Sequence, residues 1–344
     1  LNAGHTYVRG GDVEHDARDI AVGLLGADFA ADAGADRYRI AHIFPATPGD
    51  SSERSPLDEP GSTVHEGDYL IAIDGEDITT GDNVYARLQN KANAWVTLTV
   101  NDKPAADGAR TWRTKTLRSE WNLRYRDWVN QNRAYVDRVS GGTVGYVHIP
   151  DMMEPGIIEL AKVYFPQYYK RGFIIDERYN GGGFVSDMII DRLERRVWSM
   201  SKPREGKVQP NPERCFRGPW VVLVNEDTGS SGEWFAEAIQ RKKMAPILGR
   251  RTWGGVVGIE PHQPLIDGGG ITAPQFGPYG LDSTWPVEGH GVDPDIDVQN
   301  EPYDVLQGRD AQLEAGVKYV LDHVDDPAYA VPDMPEYPIK AKPR

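Results

Sequence analysis

The segment from Val221 to Arg241 places a serine where nucleophiles are commonly found. An apolar run, Pro219 to Val224, predicts a buried strand, a turn follows it, and Ser230 opens an amphipathic segment typical of a helix. Hydrolases place a nucleophilic serine on such a strand-to-helix turn, where the N–H groups and dipole of the helix favour developing negative charge. The segment is therefore a candidate for attack on a carbonyl group.

Ser230 also has a purely structural interpretation. Ser230 and Glu233 have the spacing of a capping box, in which the serine caps the helix and the glutamate caps back. The segment does not match G-x-S-x-G, so it does not indicate the nucleophile elbow of α/β-hydrolases. A catalytic role for Ser230 therefore depends on partners elsewhere in the chain.

Three other places supply candidate partners. His5 follows two small residues, Gly181 to Gly183 follow a predicted strand, and Glu288 and His290 lie in a loop rich in glycine and proline. A glycine run lets a substrate carbonyl approach backbone N–H groups that can bind an oxyanion. A phosphate-binding turn is the alternative, but neither G-x-G-x-x-G nor G-K-[ST] is present. The carboxylates of the later loop could bind calcium, although their spacing is not that of an EF-hand.

Composition narrows the classes of function. The chain has 344 residues, a formal net charge of −14 and a single cysteine, Cys215, expected to be an inert thiol. An acidic surface repels nucleic acid and anionic lipid, so neither nucleic acid nor membrane is an expected partner. The eight histidines are scattered and no H-E-x-x-H occurs, so we expect no metal and no cofactor.

Residues 21 to 102 predict one compact β-rich module, followed within residues 103 to 140 by a charged linker and then a surface helix or extended arm. The run Gly67-Asp-Tyr-Leu-Ile-Ala-Ile-Asp-Gly75 resembles a PDZ domain, and Gly23 to Gly26 would then lie near the carboxylate-binding loop. The resemblance implies a groove that takes extended peptide by strand addition; a spacer that only positions the rest of the chain is the alternative. The expected elements are the strands Tyr38–Phe44, Tyr69–Ile73 and Trp95–Val100, the helix Asp82–Leu88, and a helix or extended arm at Glu120–Arg138.

From Gly142 onward, strands alternate with helices, which predicts a sheet with helices packed on it. The expected strands are Thr143–Ile149, Gly172–Glu177, Pro219–Val224 and Ala245–Leu248, and the expected helices are Pro155–Tyr169, Val185–Arg196, the segment opened by Ser230, and Arg309–Val324.

The order of these features along the chain is itself informative. A histidine and a PDZ-like module precede Asp176-Glu-Arg-Tyr-Asn-Gly-Gly-Gly183, then Val224-Asn-Glu-Asp-Thr-Gly-Ser-Ser-Gly-Glu233 and Glu288-Gly-His-Gly-Val-Asp-Pro-Asp295. This order resembles the C-terminal half of the tricorn protease family, relatives of the tail-specific, C-terminal-processing serine peptidases. The resemblance implies an α/β (α+β) fold in which a β-rich PDZ-like domain precedes a crotonase-like, tail-protease β-β-α catalytic domain. It implies that residues 1–20 end a helical segment carrying the catalytic histidine, that 21–103 form the PDZ-like domain and that 104–344 form the catalytic domain.

The resemblance also implies roles for single residues. Ser230 matches the nucleophile, His5 the general base and Glu288 the acid that orients the histidine side of the site. The N–H groups of Ser231 and of Gly182 or Gly183 match the oxyanion donors. Gly4 departs from the family, in which a serine at this position bridges to the glutamate, so the Glu288–His5 link is expected to be loose or carried by water.

The leading hypothesis is a serine peptidase that hydrolyses short or unfolded peptides through an acyl-enzyme. A catalytically impaired peptide-binding scaffold is the first alternative, and acyl-CoA chemistry, suggested by the crotonase-like core, is the second. The resemblance implies a homo-oligomer, specifically a hexamer. We expect a cytoplasmic location. Because the chain does not begin with methionine, a signal peptide could precede Leu1, and the location would then be periplasmic.

Overall fold

A computed structural model describes residues 4–11, 20–46, 54–259 and 264–337. The chain divides into two compact units, residues 14–131 and residues 1–13 together with 132–344. Of the expected helical segment within residues 1–20, residues 1–3 and 12–19 lie outside the described part. Gly4 and His5 form a turn, and strand β1 (Val8–Arg9) pairs antiparallel with Gly270–Ile271, so the described start of the chain is not helical.

The unit of residues 14–131 is built on an antiparallel sheet in the order β2-β3-β4-β6-β7, with β5 paired to β4. Its strands are β2 (Ala27–Asp32), β3 (Arg37–Ile43), β4 (Tyr69–Ile73), β5 (Glu76–Asp77), β6 (Trp95–Asn101) and β7 (Arg110–Lys115), with a 3₁₀ helix at Val84–Leu88. The core is aliphatic and includes the fully buried Ile40, Leu70 and Leu98.

Two expectations for this unit need correction. The charged stretch expected to be a linker contains β7. This strand pairs with β6, so that Trp112 of β7 lies opposite Leu98 of β6. The helix expected at Asp82–Leu88 is a shorter 3₁₀ helix that begins at Val84, with Asn83 capping it through the Tyr85 N–H. The sequence pattern of β7 does not indicate a strand, because its exposed side chains are charged or polar and resemble those of a loop.

Helix α1 (Trp121–Val139) crosses the boundary between the units, so only its part from Asn132 onward belongs to the second unit. Its other helices are α2 (Glu154–Glu159), which continues as a π-helical turn (Leu160–Tyr164), α3 (Ser186–Leu193), α4 (Ser231–Arg241), α5 (Pro302–Leu306), α6 (Ala311–His323) and a 3₁₀ helix (Pro327–Tyr329). Its further strands are β8 (Val144–His148), β9 (Gly172–Asp176), β10 (Ser199–Ser201), β11 (Gln209–Asn211), β12 (Trp220–Val224), β13 (Ile247–Gly249), β14 (Gly258–Ile259), β15 (Gly270–Ile271), β16 (Pro274–Phe276) and β17 (Ile296–Asp297).

A parallel sheet in the order β17-β13-β12-β9-β8 forms the centre of this unit. β9 and β12 are apolar almost throughout and buried on both faces, as expected for inner strands of a parallel sheet. Because neighbouring parallel strands end at the same edge of a sheet, the loops after β9 and β12 emerge side by side. These two loops contain the glycine run and Ser230.

Candidate active site

Ser230 lies in a strained turn immediately before α4. Its backbone has φ 54° and ψ −123°, a region that residues other than glycine rarely adopt. The Ser230 N–H donates to Oε2 of Glu233 at 3.0 Å, so the glutamate contact of the expected capping box is formed. The turn is thus held in its unusual conformation from inside the helix that follows it.

Glu233 does more than cap the helix. It is fully buried and also accepts hydrogen bonds from Thr252 Oγ1 at 2.6 Å, Gly254 N at 2.5 Å and Gly255 N at 2.8 Å. Burial raises the pKa of Glu233, and the hydrogen bonds oppose that rise. The glutamate therefore ties the start of α4 to the segment that follows β13, a connection that a capping motif alone does not reveal.

The glycine loop after β9 packs directly on the serine. Gly182 has φ 92°, and a Cβ built on it would lie 2.5 Å from Ser230 Cβ and 2.8 Å from Ser231 N. No side chain fits at this position, so glycine is required both by the conformation and by the contact.

The N–H groups around Ser230 differ in their availability. The Gly182 N–H donates to Asn180 Oδ1 at 2.9 Å and is therefore already used. Within the described residues, the N–H groups of Ser231 and Gly183 have no acceptor. Ser231 is the first residue of α4, where backbone donors lack intrahelical partners. Of the two glycines expected as alternatives, Gly183 is the one with a free donor.

His5 and the serine turn pack against the same side chain, Trp253. The His5 ring meets the Trp253 ring edge-on, with 5.2 Å between centroids. The main-chain N–H of Trp253 donates to Thr228 O at 3.0 Å, and a Cβ built on Gly229 would lie 3.2 Å from the Trp253 ring. Across the described residues no hydrogen bond joins His5 to Ser230, and the buried Nδ1 of His5 has no partner.

The backbone of His5 is held from two sides. His5 has φ 57°, and its carbonyl accepts a hydrogen bond from Thr272 Oγ1 at 2.7 Å. Oε1 of Glu288 accepts the Gly4 N–H at 2.6 Å, and its Oε2 accepts the N–H groups of Val256 at 2.8 Å and Val257 at 3.0 Å. Glu288 thus fixes the main chain next to His5 rather than the imidazole ring.

Gly4 leaves little room for the serine that the resemblance implies at this position. A Cβ built on Gly4 would lie 2.8 Å from Gly255 Cα and 3.1 Å from Glu288 Oε1. Glu288 contacts the Gly4 N–H, and a loose or water-carried link from Glu288 to the His5 ring stays a prediction.

The other motif residues have structural contacts. Arg178 is buried and donates from Nε and Nη2 to Asp176 at 2.9 and 2.7 Å, and from Nη1 to both oxygens of Asp310 at 2.8 Å. Burial opposes ionisation of Asp176, but the Arg178 charge outweighs it and lowers the pKa of that carboxyl. This network anchors the loop after β9 to the start of α6.

Two other candidates have contacts outside this site. His290 is exposed and its Nε2 lies 2.7 Å from Asp293 Oδ2. Cys215 is buried, and burial raises the pKa of its thiol, which disfavours the reactive thiolate. In the described part of the chain, no group of three or more His, Cys, Asp or Glu side chains could hold a metal ion.

Two models of known protein families match this chain, one over each of its two units. Residues 143–298 match the model of Peptidase family S41, and residues 23–119 match that of the Tricorn protease PDZ domain. The chain is 36% identical over 310 residues to a putative tricorn-like protease C-terminal subunit of Sulfurisphaera tokodaii, covering 90% of this chain and 36% of that protein. It is 35% identical over 332 residues to the tricorn protease of Thermoplasma acidophilum, covering 96% of this chain and 30% of that protein.

A solved structure of the tricorn protease superposes with a TM-score of 0.84 at 34% identity, covering 93% of this chain and 31% of that one. The chain belongs to the tricorn protease family. The expected α/β class, with PDZ-like and peptidase domains, is thereby confirmed, as is the serine-type peptidase class at the level of the family. The chain spans about a third of the length of these tricorn relatives. Within the described residues, no helix is both long and apolar enough to cross a bilayer.

Proposed function

We propose that this tricorn-family chain is a serine peptidase that cleaves short or unfolded peptides through an acyl-enzyme on Ser230. The observation that carries the proposal is the packing of Gly182 against Ser230 and Ser231, next to two N–H groups without acceptors. A strained serine, a helix N-terminus and free backbone donors at one point are the parts that acyl transfer needs.

In this mechanism His5 takes the proton of the Ser230 hydroxyl as its oxygen attacks the peptide carbonyl carbon. The tetrahedral oxyanion accepts hydrogen bonds from the N–H groups of Ser231 and Gly183, each contributing ~3 kcal/mol to transition-state stabilisation. His5 then gives the proton to the leaving amine, and water hydrolyses the resulting ester. Glu288 contributes by holding the Gly4 N–H, and therefore the backbone that carries His5.

The organisation of the whole chain belongs to the same proposal. Residues 21–103 are the PDZ-like domain and residues 104–344 the catalytic domain, supported by the family matches at 23–119 and 143–298. Peptides are the substrates, supported by the membership of the tricorn protease family. The homo-oligomer, the hexamer and the cytoplasmic location stay predictions.

Replacement of the nucleophile tests the proposal. In Ser230→Ala, kcat for an unfolded, fluorescently labelled protein should fall by about 10³-fold or more, because no other group forms the ester. Ser199→Ala, which changes a serine of β10 outside the site, should retain wild-type turnover. Unchanged turnover in Ser230→Ala would remove the assignment. A wild-type chain that binds peptides without cleaving them would instead support the impaired peptide-binding scaffold.

A further inference from the structure

Glu177 is a fully buried glutamate, directly after β9, whose main chain joins the two loops of the site. Its N–H donates to Leu223 O at 2.8 Å, and its carbonyl accepts from Thr228 Oγ1 at 2.9 Å. Leu223 lies in β12 and Thr228 lies two residues before Ser230. The position of Glu177 is therefore fixed relative to the serine turn.

The Glu177 carboxyl group has one hydrogen-bond partner. Oε2 accepts from Asn180 Nδ2 at 3.0 Å, whereas Oε1 is buried with no partner among the described residues. Burial, together with the charge of Asp176, raises the pKa of Glu177 well above the usual value for a glutamate. This shift favours the protonated carboxyl group, in which Oε2 accepts from Asn180 without bringing a negative charge to the site.

Asn180 connects this carboxyl group to the glycine loop. Its Nδ2 also donates to Ile149 O at 3.0 Å, and its Oδ1 accepts the Gly182 N–H at 2.9 Å. Its main-chain carbonyl accepts the Gly229 N–H at 2.8 Å. Because Nδ2 has two acceptors on one side, the amide cannot turn over without losing both, and Oδ1 must face Gly182.

We propose that Glu177 is a positioning residue of the oxyanion site: it orients the Asn180 amide, which binds the Gly182 N–H and leaves the Gly183 N–H for substrate. The role rests on the proposed function, since it matters to catalysis only if the Gly183 N–H binds an oxyanion. Glu177 does not touch substrate and acts through Asn180.

Two substitutions separate this role from simple core packing. Glu177→Leu keeps most of the volume but removes the acceptor, so kcat should fall about tenfold or more with KM changed less than about threefold. Glu177→Gln keeps an acceptor oxygen for Asn180 and should retain kcat within about threefold. Glu237→Leu is the matched control, because Glu237 is another buried glutamate, on α4, whose partner is Arg241 rather than the glycine loop. It should leave kcat unchanged.

Hydrogen exchange of the intact chain supplies a readout that does not depend on turnover. The backbone amides of residues 178–184 should exchange faster in Glu177→Leu than in wild type or Glu177→Gln, because the Gly182 N–H loses its fixed acceptor. If the wild-type chain shows no hydrolysis that depends on Ser230, the proposed function fails, while faster exchange in Glu177→Leu still supports the orienting contact. Wild-type exchange and kcat in a folded Glu177→Leu, or an equal loss in Glu177→Gln, would overturn the positioning role.

Discussion

Two glycine-containing loops, one in each unit, resemble anion-binding loops, and their N–H groups have different partners. In the loop of residues 181–183, the Gly183 N–H has no acceptor within the described residues. In the loop of residues 23–26, the N–H groups of Gly23 and Leu24 donate to Leu88 O at 2.8 Å and Leu117 O at 2.9 Å. A glycine run therefore predicts close approach to the backbone, but not that its donors are free.

The glutamates beside these loops explain the difference. Oε2 of the buried Glu120 accepts the Gly26 N–H directly at 3.1 Å, and its other oxygen accepts two hydrogen bonds from Arg124 at 2.8 and 2.6 Å. Glu177 instead binds the side chain of Asn180, which accepts the Gly182 N–H, and the N–H of Gly183 stays without an acceptor among the described residues. The Glu120 side chain binds an N–H of the loop predicted to bind a carboxylate, whereas the Glu177 side chain binds no N–H of its loop and only orients Asn180.

Of the changes that test the contrast between the two loops, adding a single methyl group to the loop of residues 181–183 has the largest expected effect. Gly182→Ala should lower kcat by about 10²-fold or more, because its Cβ would lie 2.5 Å from Ser230 Cβ and displace the nucleophile. Gly181→Ala is the matched control, since a Cβ built on Gly181 meets no atom within 4 Å, and it should act like wild type. Steady-state kinetics on both variants measure the contrast, and equal activities would contradict the packing argument.

A smaller effect concerns the charge state of Glu177. Because burial raises its pKa, the folded chain holds this proton more tightly than the unfolded chain does. The free energy of unfolding of the wild type should therefore fall, relative to Glu177→Gln, by ~1.4 kcal/mol per pH unit as pH rises above ~4.3, until the folded pKa is reached. Denaturant unfolding of both proteins at pH 5, 6 and 7 measures this difference. Parallel stability curves would mean that Glu177 is ionised in the folded state.

The smallest expected effect lies in the loop of residues 23–26. Because Glu120 and the carbonyls of Leu88 and Leu117 occupy the other N–H groups, the loop leaves only the Leu25 N–H without an acceptor among the described residues. A peptide therefore gains little by offering a terminal carboxylate there. Amidating the C-terminus of a bound peptide should change the Kd of the wild-type chain by less than about twofold, as fluorescence anisotropy would show, against about tenfold for the loss of a charge-assisted contact. A tenfold loss on amidation would show that a peptide displaces Glu120.

Local patterns predicted the elements that carry the site. The apolar run before Ser230 contains β12, and the serine turn leads into α4, which begins one residue after Ser230. These features are encoded within a few residues by hydrophobic periodicity and turn chemistry. The parallel sheet then brings the loops after β9 and β12 together without any further information.

The contacts that complete the site depend on residues far apart in sequence. Gly4 and Glu288 are 284 residues apart, and no local pattern indicates that the carboxylate binds a backbone N–H instead of the His5 ring. The segment of Thr252 to Val257 contacts Glu233, Glu288 and His5, but no sequence pattern predicts a role for it in the site. Its only signal was a Trp-Gly-Gly turn, whose glycines give no indication of which groups approach them.

Covalent labelling tests most directly whether His5 activates Ser230. Wild-type chain incubated with a fluorophosphonate should gain one adduct, which peptide mass mapping should locate on Ser230, because only an activated serine reacts. His5→Gln should slow this labelling by about 10²-fold or more, since the general base is lost. An adduct on another residue, no adduct at all, or a labelling rate unchanged by His5→Gln would contradict the account.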